Sequence, residues 1–105
     1  MLTISQAENG RTFSVSVSEQ FEVSLPENPT TGHRWFLSIR EKSGCVLMDD
    51  VFEPSSHKPG AGGTRRWKFQ AAEPGKCSLE FVKCRSWGEA QPDAPKFRVT
   101  IEVQG

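Results

Sequence analysis

The sequence predicts an all-β fold, an immunoglobulin-like β-sandwich of about seven or eight strands. Three observations carry that expectation. Apolar residues recur at every second position in short runs, and no helical stripe of useful length occurs. Turn residues punctuate the runs at short intervals. Seven Phe and three Trp supply much of an otherwise economical core.

The strand runs follow in chain order. "RTFSVSV" places Phe13, Val15 and Val17 on one face, and "QFEVSL" does the same with Phe21, Val23 and Leu25. "RWFLSI" is apolar on both faces, which predicts a central strand. "RRWKFQA" aligns Trp67, Phe69 and Ala71; "CSLEFV" aligns Cys77, Leu79 and Phe81. The clearest case is "FRVTIEV", where Phe97, Val99, Ile101 and Val103 oppose Arg98, Thr100 and Glu102. Turn residues separate these runs at Asn9-Gly10, Pro26 to Gly32, Ser43-Gly44, Pro59 to Gly63, Pro74-Gly75 and Gly88 to Pro95. Such spacing suits a sandwich, but the Cys–Trp–Cys arrangement of antibody domains is missing, so no disulfide is expected to pin the sheets.

With 105 residues the chain reads as a single domain, 1–105. Thirteen basic and thirteen acidic residues cancel, which removes the field that nucleic acid or an anionic membrane would need. The Arg65-Arg66 pair reads as solvated strand positions. No apolar run approaches the ~18–20 residues of a membrane span. "MLTISQAENG" lacks the regions of a signal peptide, so the default location is cytoplasmic, or periplasmic or secreted if an upstream signal was removed. Cys45, Cys77 and Cys84 form an odd set without CxxC spacing. They suit reduced, partly buried thiols rather than a disulfide framework or a zinc site.

Enzyme chemistry finds little support. His33 and His57 both fall in loops, without a nucleophile or carboxylate at a recognisable spacing. Asp49-Asp50 is the only adjacent acidic pair, and neighbours on a strand face opposite sides. The expectation is a protein that is not an enzyme, takes no cofactor or metal, and exists as a monomer.

Three connections are longer than a sandwich requires: residues 26 to 33, 53 to 63 and 85 to 95. In sandwich order they join strands B to C, D to E and F to G. The first and third share one end of such a fold, and a long D–E loop can reach it, which would set three loops side by side as a binding edge. The first loop is stiffened by Pro26 and Pro29, and Gly32 permits a sharp return. It therefore loses little entropy on docking. The second, with Gly60, Gly62 and Gly63, could lie against an extended groove. A phosphate-binding role would need a helix after it, and a strand pattern follows instead. The third carries Trp87 close to Arg85, residue types that make interface hot spots. A polar cap, a plain hairpin connection and a ring folded back over the sandwich end are the simpler readings of the three.

Taken together, "NPTTG" (Asn28, Pro29, Thr30, Thr31, Gly32), "GAGG" (Gly60, Ala61, Gly62, Gly63) before Thr64, and "RSW" (Arg85 to Trp87) resemble the three signature loops of the chagasin family. These are protein inhibitors of papain-like cysteine peptidases. The resemblance runs from about Phe21 to Val103. It implies a reversible, noncovalent inhibitor that blocks the peptidase cleft with three adjacent loops. Thr30 and Thr31 would then stand nearest the catalytic centre, Gly60 to Gly63 along the non-primed groove, and Arg85 with Trp87 on the primed side. One position departs: the family usually has proline where this chain has Ser86, so Trp87 is expected to be less preorganised. His33 counts as tolerated variation. The alternative is an immunoglobulin-like interaction module that binds a partner other than a peptidase.

Overall fold

In the computed structural model, residues 1–28, 33–39, 44–54, 62–84 and 94–105 are described. Eight strands fill most of these: β1 (Leu2–Ser5), β2 (Thr12–Ser16), β3 (Gln20–Glu27), β4 (Arg34–Ile39), β5 (Cys45–Pro54), β6 (Gly63–Ala71), β7 (Gly75–Cys84) and β8 (Lys96–Gln104). They form two four-stranded sheets, in the orders β1-β3-β6-β5 and β2-β8-β7-β4. This is the sandwich order expected for an immunoglobulin-like fold, with strands B to G running from β3 to β8.

The N-terminal strand is shared between the layers. β1 pairs parallel with β3 in the first sheet, and β2 pairs parallel with β8 in the second. A 3-10 turn at Gln6–Glu8 carries the chain across. There the Glu8 carboxylate accepts hydrogen bonds from the Ser5 hydroxyl and amide, which hold its pKa below the usual range. Gly10, at φ 84°, completes the turn into β2. The remaining ladders are antiparallel.

Alternation decides which side of each strand faces in. Phe21, Val23 and Leu25 of β3 meet Trp67, Phe69 and Ala71 of β6 within the core, facing Cys77, Leu79, Phe81, Phe97, Val99 and Ile101 of the second sheet. Trp67 and Phe81 bridge the layers with ring centroids 4.5 Å apart and planes tilted by 51°, and Phe21 stacks on Phe69 at 5.2 Å. This aromatic contact occupies the interior that a disulfide pins in antibody domains. None of the three cysteines is in a disulfide, and all three are buried. Cys45 and Cys77 belong to the core, whereas Cys84 lies at the loop-bearing end of β7.

Three sequence expectations change. "RWFLSI" forms β4, which is an edge strand rather than a central one. Its outward Phe36 pairs with Val82 across the ladder and lies under the Arg34 guanidinium, 5.2 Å from the ring centroid. Among the described residues no further strand pairs with β4, and the Arg34 side chain lies over that face. Val17 falls beyond the end of β2 and is exposed, since the strand stops at Ser16. β1 and most of β5 were not legible as strands. β5 is the outer strand of its sheet and leaves Val46, Leu47, Met48 and Val51 exposed, so its pattern lacks clean alternation. A break in register between Leu47 and Asp49 interrupts this edge, a feature that discourages strand addition.

Candidate functional site

The antiparallel registers bring the bases of the three long connections together. In the first sheet Glu27, the last residue of β3, lies opposite Gly63, the first of β6, which lies opposite Pro54, the last of β5. In the second sheet Arg34 of β4 pairs with Cys84 of β7, while Val82 pairs with Lys96 of β8. The amide of Lys83 donates to the Pro95 carbonyl at 3.0 Å, closing the base of the third connection. An open cleft of about 300 Å³ joins the two layers at this end, lined by Gln6, Pro26, Glu27, Asn28, Gly62, Gly63 and Lys83. One residue from the base of each connection therefore borders the same cleft: Asn28, Gly62 and Lys83.

Of the residues singled out in the sequence, Asn28, Gly62 and Gly63 are placed at this end. Pro29, Thr30, Thr31, Gly32, Gly60, Ala61, Arg85 and Trp87 lie outside the described residues. His33 is half-buried just before β4. Among the described residues no group of three His, Cys, Asp or Glu could hold a metal ion.

The two glycines have different reasons to be glycine. A Cβ on Gly63 would fall on the Glu53 carbonyl oxygen, 2.7 Å from Phe52 Cζ and 2.8 Å from Pro54 Cα. Gly63 is required by close strand packing. A Cβ on Gly62 would meet Glu27 O at 3.6 Å and Asn28 Cβ at 3.8 Å, ordinary contact distances. Gly63→Ala is therefore expected to lower the unfolding free energy by about 1–3 kcal/mol through overpacking. Gly62→Ala should leave it unchanged or raise it by up to about 1 kcal/mol through the unfolded chain. Urea denaturation of the two variants checks the contrast.

Composition and motif gave no hint of the group that holds this end together. Glu27 continues the inward series Phe21, Val23, Leu25, and its carboxylate is buried at 3% exposure. Oε1 accepts the Trp35 amide at 2.7 Å, and Oε2 accepts Nε of Arg65 at 3.1 Å while Nη2 stands 3.0 Å away in the same ion pair. Arg65 continues the inward series of Trp67, Phe69 and Ala71, so it is not the solvated position expected from the Arg65-Arg66 pair. Its side chain is 14% exposed and its Nη1 also reaches Asp50 Oδ1 at 3.1 Å. Arg66 does face solvent, with Glu53 at 3.3 Å. Burial works against the Arg65 charge, but the carboxylates of Glu27 and Asp50 outweigh it and raise the guanidinium pKa. Diagonal placement explains the reach: Leu25 is opposite Arg65 in the ladder, which puts Glu27 one inward position further along.

Trp35 completes the group. Its indole N–H donates to the Pro26 carbonyl at 2.8 Å, and Lys83 Nζ stands 5.8 Å from its ring centroid. The signal that could have found this was an inward-facing Glu and an inward-facing Arg at the loop ends of two alternating strands. A charge at such a position needs a partner.

The family model for chagasin family peptidase inhibitors (I42) matches residues 14–101. Chagasin of Trypanosoma cruzi is 31% identical over 105 residues, covering 95% of this chain and 96% of its own. The crystal structure of the cysteine protease inhibitor EhICP2 from Entamoeba histolytica superposes with a TM-score of 0.85 over 98% of this chain and 95% of that one, at 16% identity. The structure of PbICP-C in complex with falcipain-2 gives a TM-score of 0.67 over 99% and 100%, at 15% identity. A shared fold, a family match across nearly the whole sandwich and a relative 31% identical over almost its full length lead to one conclusion: this chain belongs to the chagasin family of peptidase inhibitors.

Proposed function

We propose that this protein is a reversible, noncovalent inhibitor of papain-like cysteine peptidases, and that residues 28–32, 60–63 and 85–87 form its inhibitory edge. The observation that carries this reading is the convergence of the three loop bases around one cleft. Strand ends far apart in the chain thereby meet at Asn28, Gly62 and Lys83, which supports reading the three loops that continue from them as one edge.

The chemistry of each loop suits a proteolytic groove. Such a groove binds extended backbone, so Gly60, Ala61 and Gly62 offer main-chain pairing with little side chain in the way. Gly63 ends this edge and also serves the scaffold, because β5 leaves no room for a side chain there. Pro29 restricts the first loop, so Thr30 and Thr31 can fill the catalytic centre without presenting an aligned scissile peptide. Arg85 and Trp87 flank the other side as hot-spot residue types. Docking any one loop raises the local concentration of the other two, so three modest contacts add up to tight binding.

Titration of papain with the purified protein tests the reading. Inhibition at near-stoichiometric amounts is expected, with trypsin untouched; an inert protein would remove it. Trp87→Ala should weaken inhibition by about 2–4 kcal/mol, measured as the ratio of inhibition constants. Ser86→Pro should strengthen it by a few tenths to about 1 kcal/mol by restricting the free loop.

A further inference from the structure

We infer that the Glu27 carboxylate is a positioning group for inhibition, a clamp that sets the first loop against the second. The inference rests on the inhibitory reading above and adds to it a residue outside all three motifs. Glu27 is itself the last strand residue before the first loop, and Trp35, whose amide it accepts, is two residues past that loop's end. Arg65 is two residues past Gly63, where the second loop ends. One buried carboxylate on the entering side of the first loop thus bonds to that loop's returning side and to the returning side of the second. Asp50 extends the group onto β5, the strand that enters the second loop. Lys83, over the Trp35 ring, brings in the strand that enters the third.

A hydrophobic pair would fill this space without directing anything. A carboxylate with both oxygens engaged fixes distance and angle among three backbone segments, because charge-assisted hydrogen bonds are short and directional. Tips held in their binding arrangement beforehand lose less entropy on association. Glu27→Gln keeps the shape and an acceptor for Trp35 but removes the charge that holds Arg65.

The test compares the parent, Glu27→Gln, Arg65→Lys and Val103→Ala. Val103 is a buried residue near the end of β8 opposite to the loops, so its variant lowers stability without touching the clamp. Binding to papain is followed by association and dissociation rates well below every melting temperature, and amide hydrogen exchange is followed in the free proteins. Glu27→Gln is expected to bind roughly tenfold more weakly, mainly through faster dissociation. Arg65→Lys should lie between it and the parent, and Val103→Ala should match the parent. Exchange at Asn28, Trp35 and Gly62 should quicken only in the two clamp variants. Parental rates and exchange in folded Glu27→Gln and Arg65→Lys overturn the clamp while leaving the inhibitor reading intact. A parent that ignores papain removes that reading, and the exchange data still decide whether the clamp orders both loop bases.

Discussion

Arg65→Met is expected to lower the unfolding free energy by about 3–5 kcal/mol, the typical cost of leaving a buried charge without its partner. The guanidinium supplies one of the two hydrogen bonds received by Glu27, which is 3% exposed, and the ion pair beside it. Without it the carboxylate must stay charged in a poor solvent, take up a proton or drag water into the sandwich end. Methionine keeps much of the apolar stem, so lost packing is a small part of the effect. The double variant Arg65→Met with Glu27→Gln should recover most of the loss. It holds no unpaired buried charge, and the glutamine oxygen can still accept the Trp35 amide. Asp50 tolerates either change because its side chain is 43% exposed and can be hydrated. Chemical denaturation of the parent, the single variant and the double variant gives the answer directly. A single variant as stable as the parent would show that Glu27 is adequately solvated without Arg65.

The largest effect on function is expected from Thr31→Glu. If the first loop fills the catalytic centre, a new carboxylate there is desolvated on docking and finds no prepared partner. Such a misplaced charge at an interface costs several kcal/mol. Inhibition of papain should therefore weaken by about 100-fold or more. The melting temperature should stay near that of the parent, since the substitution lies in a connection outside the strands. This pairing of outcomes separates contact with the peptidase from damage to the fold. Inhibition at the parental level would move the contact away from the first loop. It would leave the second and third loops to be tested through Gly62→Ala and Trp87→Ala.

Alternation along single strands made much of the sandwich legible. β3, β6, β7 and β8 each show their inward series in the bare sequence, because a strand exposes its two faces at successive residues. The edge strands were harder. β5 carries apolar residues that remain exposed, and β4 is apolar on both sides although it has one neighbour among the described strands. Local pattern reports which residues avoid water, not how many strands lie alongside. β1 is four residues long, too short for a period to register.

The class of fold, the three motifs and the order in which they occur can be read from the chain alone, since each depends on neighbouring residues. Strand pairing in three dimensions adds that the bases of those motifs meet around one cleft, that Gly63 serves the scaffold while Gly62 has room beside it, and that Arg65 turns inward to Glu27. These facts depend on strand register across sequence separations as long as the 38 residues between Glu27 and Arg65. Pairing over such distances is chosen by burial of the whole core, and no single segment contains the information to specify it.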